Sequence, residues 1–282
     1  MGVVIGIDVG GSTTKIVGFR TDSNGNKTLI SPQLVTANDP ITSTYGAFGK
    51  FTEENGIGMS EISKIMMTGV GASFVKKDIF GLPCERVPEF NSIGKGALYL
   101  SGLDEALAVS LGTGTALVHA KVGEKMNYLG GTGVGGGTLV GLSKLLLHAD
   151  SMEHIIEYAD GGDLENIDLK IKHMTENGTL SILSRDLTAA NFGNVSDLAT
   201  KEDIALGIMN MVFETVGMVS VFAAHQVKCE NIILTGNLTQ IGFCEKKFAE
   251  FNSMKDNYGV NFIIPKNSQF GTVIGTALCG LE

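Results

Sequence analysis

Proline is scarce in this 282-residue chain, with five in all, and no basic excess offsets its acids: the formal net charge is −9. That balance excludes a broad basic surface for nucleic acid, so an anionic ligand would need backbone N–H groups, a few placed cations or a metal. The four cysteines, Cys84, Cys229, Cys244 and Cys279, lie far apart with no C-x-x-C. This excludes a disulfide framework or a cysteine zinc site and reads as ordinary thiols of a reducing cytoplasm. The five histidines form no ligand cluster. No basic region followed by a long apolar run opens the chain, so no signal peptide is expected. The segment from Ala205 to Val227 has one formal charge, Glu214, and is long enough for a membrane span. Asn210, His225 and Gln226 also interrupt it, and it reads as a buried central or interface helix.

Glycine is what the chain has in excess: 38 residues, nearly double the usual share, without a G-X-Y period. That excess points to special backbone geometry or close approach of backbone to a ligand. The opening VVIGIDVGGSTTKIVGF is an apolar run, a lone aspartate, a Gly-Gly pair, hydroxyls, a lysine and a second apolar run. It predicts a hairpin over residues 3–9 and 14–19. IGIDVGGSTTKIV and LAVSLGTGTALVH share one plan, so a second hairpin within residues 105–122 repeats the first. Further strands are predicted at 29–35, 62–68, 84–87 and 232–237. Helices are predicted at 41–56, 75–80, 93–100 and 270–281, with a glycine-rich loop entering another before Leu147. Strands mixed with helices in two related halves argue an α/β, two-lobed architecture. No Pro- or Ser-rich linker marks the boundary, which is placed near residue 90, with lobes of 1–90 and 91–282.

Gly-rich turns supply N–H concavities for phosphate oxygens, and a carboxylate beside one can hold Mg²⁺. Asp8, Gly10, Gly11 and Ser12 facing Gly112, Thr113, Gly114 and Thr115 would clamp a triphosphate from both sides. No stretch matches a Walker A loop. Residues 131–136 satisfy G-x-G-x-x-G but lack a clear β-α-β unit. Gly135, Gly136 and Gly137 read instead as the glycines that let a nucleotide lie against a helix N-terminus. Gly236, which ends a strand, and Phe270, which opens the last helix, complete the expected nucleotide set. Glu89, in VPEFN, is either a solvated loop acid or a general base that takes a proton from a substrate hydroxyl. Lys15 is either the polar face of a hairpin or a phosphate contact.

DVGGSTTK, VPEFNSIGKG, SLGTGTALVH, GGTGVGGGTLVGL, NIDLKIKHM and DLTAANFGNV follow one another in an order that resembles the type II pantothenate kinases. The resemblance implies a two-lobed, ribonuclease H-like ATPase fold of the actin/hexokinase type, with mixed sheets and nucleotide in the interlobe cleft. It implies ATP and Mg²⁺ as cofactors, a cytoplasmic homodimer, and phosphorylation of the pantothenate hydroxyl as the first step of coenzyme A biosynthesis. It puts Glu89 at the catalytic base, Asp8 at the magnesium carboxylate and Lys15 at a phosphate contact. At two acceptor positions the chain departs from the family pattern: Ala116 stands where the family has serine, and Tyr128 where it has an arginine for the pantothenate carboxylate. Other readings are a kinase for a different alcohol and a nucleotide-sensing regulator. A third is an ATPase activator of the 2-hydroxyacyl-CoA dehydratase type, which needs a cysteine where this chain has Ser110.

Overall fold

The computed structural model describes residues 2–11, 13–36, 39–174 and 185–281. The expected first hairpin forms from β1 (Gly2–Val9) and β2 (Thr14–Thr21), extended by β3 (Lys27–Val35). After α1 (Pro40–Glu54) come β4 (Ile62–Thr68) and β5 (Cys84–Arg86). Next are α2 (Glu89–Ser101), the second hairpin β6 (Glu105–Leu111) and β7 (Thr115–Lys121), and β8 (Asn127–Thr132). Helices α3 (Gly136–Leu147) and α4 (Met152–Asp160) lead to the short strands β9 (Leu169–Lys170) and β10 (Thr188–Ala190). The chain closes with α5 (Lys201–Val227), β11 (Asn231–Thr235), α6 (Gly242–Ser253), α7 (Lys255–Tyr258), β12 (Asn261–Ile263) and α8 (Gly271–Leu278).

The repeat seen in the motifs extends to whole sheets. One sheet runs β3-β2-β1-β4-β5 and the other β8-β7-β6-β11-β12. In each, the first strand of the hairpin is central, with antiparallel neighbours on one side and parallel ones on the other. Helices cover both faces. Phe48 and Phe51 of α1 pack one face of the first sheet with Ile5, Ile7 and Ile65, while Val273, Ile274 and Ala277 of α8 pack the other with Val17 and Phe19. Ile93 and Ala97 of α2 cover one face of the second sheet, and the long α5 covers the other. Each fully buried Ile, Val or Phe contributes about 1.5–3 kcal/mol to these layers.

α2 and α8 therefore lie back to back between the sheets, and their contact joins the lobes. It is built from glycines: a Cβ on Gly96 would sit 1.8 Å from the Gly271 carbonyl oxygen, and one on Gly275 would sit 1.8 Å from that of Ser92. The Thr276 hydroxyl donates to Ser92 Oγ at 3.0 Å across the same seam.

Two expectations change. The short helix expected over 75–80 does not form. A 3-10 helix at Val70–Phe74 precedes a bridge between Ile79 and Leu82, and the intervening Phe80 and Gly81 have φ of 51° and 80°, which a right-handed helix cannot hold. The helix expected from residue 93 begins at Glu89, because Pro88 presets the backbone for entry and an acid is favoured in a first turn. Among the described residues, α5 is the one helix long and apolar enough to cross a membrane, and 61% of its most apolar window is buried in the core. Thr200 and Asp203 cap it reciprocally.

Candidate active site

A cleft of about 530 Å³ opens between the lobes. Asp8, Gly10, Gly11 and Lys15 line it from the first hairpin, Gly112, Thr113, Gly114, Thr115 and Ala116 from the second, and Glu89, Tyr128 and Gly236 stand on its wall as well. Each turn closes on itself: Gly10 N–H donates to Thr13 O at 3.0 Å, and Gly112 N–H to Gly114 O at 3.0 Å. Ser12 lies outside the described residues.

Other expected residues sit elsewhere. Gly135, Gly136 and Gly137 do not line the cleft. The N–H groups of Gly136 and Gly137 donate to Gly112 O and Thr113 O at 2.9 and 2.8 Å, so the start of α3 buttresses the second turn from behind. Phe270 is buried with Val17, Phe19 and Val273 between β2 and α8. The DLTAANFG segment, which carries part of the family resemblance and was not expected in the site, is docked on α5. There Phe192 N–H donates to Asp168 Oδ1 at 2.9 Å, Asn210 Nδ2 to Asp168 Oδ2 at 2.8 Å, and Asn191 Nδ2 to Glu214 Oε2 at 2.9 Å.

Asp8 and Lys15 are partners across the β1–β2 ladder. Burial raises the Asp8 pKa, and the Lys15 charge acts against that rise. Burial lowers the Lys15 pKa while Asp8 opposes it, and the ammonium donates to Gln269 O at 2.7 Å. Glu89 is held from below: Val87 N–H donates to Met67 O at 2.8 Å and the Thr68 hydroxyl to Val87 O at 3.0 Å, so β5 runs beside β4 until Pro88 starts α2. Its carboxylate is open to the cleft, yet the surrounding walls thin its hydration. That desolvation raises its pKa, and the charge of Asp8 raises it further.

Sequence reasoning missed Gly69, Ser110 and Asn237, all of which line the cleft. Their signal is the repeat itself. Ser110 occupies in the second hairpin the place of Asp8 in the first. Thr68-Gly69 and Thr235-Gly236 end the parallel neighbour strands of the two sheets. Gly69 and Gly236 have φ of 88° and 98°, and a Cβ on either would sit 2.5 Å from the carbonyl oxygen of Val9 or Leu111. Glycine at both places lets the strand ends close against the hairpins. Sequence gave no sign of the Phe90–Tyr128 stack at the cleft rim, whose centroids are 3.8 Å apart with planes 12° from parallel.

The sequence model of the family described as Fumble matches residues 105–242. The type II pantothenate kinases of Staphylococcus aureus strains USA300 and NCTC 8325 / PS 47 are each 28% identical over 243 residues, covering 83% of this chain and 84% of theirs. Two solved structures share the fold over 99% of this chain. The activator of the 2-hydroxyisocaproyl-CoA dehydratase from Clostridium difficile, with bound ADPNP, superposes with a TM-score of 0.63 at 14% identity over 94% of its length. Component A of the Acidaminococcus fermentans (R)-2-hydroxyglutaryl-CoA dehydratase reaches 0.65 at 16% identity over 97% of its length. At such identities these two report architecture alone, and that architecture, α/β with two mixed sheets, agrees with the fold that the family resemblance implied. Along most of its length this chain is similar in sequence to the type II pantothenate kinases.

Proposed function

We propose that this chain is an ATP-dependent kinase that phosphorylates the hydroxyl of a small acceptor, with pantothenate as the acceptor named by its relatives and coenzyme A biosynthesis as the setting. The observation that carries the reading is the convergence in one cleft of two glycine turns from opposite lobes with the carboxylate of Glu89.

The two turns bring backbone to phosphate oxygens from both sides, with Lys15 adding a buried positive charge beneath the first. The donor set suits Mg²⁺: Asp8 offers a carboxylate at the floor of the cleft, and this ion uses one or two carboxylates plus substrate phosphates and water. Asp8 would hold it, and the bound ion would neutralise phosphate charge. Glu89 orients the acceptor hydroxyl and takes its proton as the oxygen attacks the γ-phosphorus; the bond to the bridging oxygen breaks and ADP leaves. Closure of the lobes about the α2–α8 seam would exclude water and limit idle hydrolysis. We place the enzyme in the cytoplasm. Leu145 and Leu146 of α3 and Phe222 of α5 are exposed apolar side chains on two packed helices, and they offer surface for a homodimer.

ADP release with ATP, Mg²⁺ and a panel of acceptors tests the reading. Acceptor-dependent turnover that Glu89→Gln abolishes is the expected result. ATP binding without stimulation by any acceptor would replace the kinase with a nucleotide-sensing regulator.

A further inference from the structure

We propose that the acceptor half of the cleft selects a neutral hydroxyl compound over one bearing a carboxylate, and that the stacked pair Phe90–Tyr128 is the surface that makes the choice. This rests on the kinase reading and moves its acceptor from pantothenate itself to the same skeleton with the acid masked, as in a neutral amide.

The first support is the charge lining the cleft. Among the described residues lining it, Asp8 and Glu89 are the acids and Lys15 the one basic side chain. Lys15 is committed, being buried, opposite Asp8 and donating to Gln269 O at 2.7 Å. Bound ATP adds further negative charge. An acceptor carboxylate entering this space meets like charge and, among the residues lining it, no uncommitted cation.

The second support is what stands beside Glu89 instead. Phe90 follows it directly on α2, and Tyr128 reaches the same rim from β8, so the stack spans two elements next to the candidate base. The rings are 37% and 45% exposed, leaving surface for a ligand. Aromatic faces carry negative potential, which disfavours a carboxylate and accepts C–H and amide groups. Ala116 and Val70 also line this cleft and add apolar wall rather than donors. The nearby guanidinium of Arg86 shares an adjoining hollow of about 290 Å³ with Glu89 and Val70. Its Nη2 already donates to the carbonyls of Ala72, Ser73 and Val75 at 3.1, 3.5 and 3.2 Å.

The test compares kcat/KM for pantothenate and for its neutral N-propyl amide at saturating ATP and Mg²⁺, using the full chain. The amide should be preferred by about tenfold or more. Tyr128→Arg should raise pantothenate use and narrow or invert the ratio, whereas Tyr128→Phe, which keeps the stack, should leave the ratio in place. Equal or greater kcat/KM for pantothenate in the unaltered chain overturns the proposal while the kinase stands. If that pantothenate preference then collapses in Arg86→Gln, the carboxylate is captured in the adjoining hollow. No acceptor-stimulated ADP release at all overturns the selection and the kinase together.

Discussion

Asp8 and Glu89 face one cleft from different elements, and the Asp8 charge reinforces the desolvation that raises the Glu89 pKa. A proton acceptor must be ionised to act. Turnover should therefore fall as pH is lowered, with a midpoint above the ordinary glutamate value of 4.5. Glu89→Gln should cost about 100- to 10,000-fold in kcat, the range for loss of a general base. The same change removes a carboxylate that the fold disfavours in its charged form. At neutral pH the variant should therefore melt at or above the temperature of the unaltered protein. Activity lost together with stability would instead mark Glu89 as a structural acid.

Asp8→Asn separates the metal reading from the fold. The amide keeps the shape but lacks the charge, so half-maximal activity should require more Mg²⁺, while ATP measured without the metal, no longer facing the Asp8 carboxylate, should bind at least as tightly. The Lys15 ammonium also loses the carboxylate that opposes its desolvation, so its pKa should drop further. Magnesium titration of activity, with ATP binding followed by calorimetry, checks both limbs.

Gly96→Ala tests the seam between the lobes. Its Cβ would lie 1.8 Å from a backbone oxygen of the opposing helix, which no side-chain rotation can relieve. The helices must separate, at a cost of roughly 1–3 kcal/mol or more. Thermal unfolding should register the loss, and because α2 begins with Glu89, kcat should fall as well. Unchanged stability would show that the helices are farther apart than described.

Glu165 accepts hydrogen bonds from Lys170, Lys172 and His173, and the lysine bonds lead in bringing its pKa down to about 2. A carboxylate whose folded pKa is depressed stabilises the fold above its unfolded value and loses that contribution as pH falls. The loss should span pH 4.5 down to about 2. Glu165→Gln should flatten the melting temperature against pH over that window. The group is partly exposed, so the change should be small and reduced by salt.

Much of the site was legible because its parts are local. A glycine turn and an aspartate at the end of its strand depend on backbone preferences within a few residues. The repeat of IGIDVGGSTTKIV in LAVSLGTGTALVH also carried the paired sheets. Phe270 and the glycines at 135–137 show the reverse case. They were expected beside a nucleotide, yet packing placed Phe270 between β2 and α8 and tied the N–H groups of Gly136 and Gly137 to the second turn.

What the sequence by itself determined was the pair of glycine turns, the two-lobed order of elements and the family they resemble, since each is written in contiguous residues. Tertiary structure alone decided which of those residues share a cavity. It brought Glu89 near Asp8, laid Tyr128 on Phe90 and pressed Gly96 against Gly271, all through contacts between elements far apart in the chain. Such contacts follow from how whole sheets and helices bury their apolar faces, a sum over the molecule that no short stretch contains.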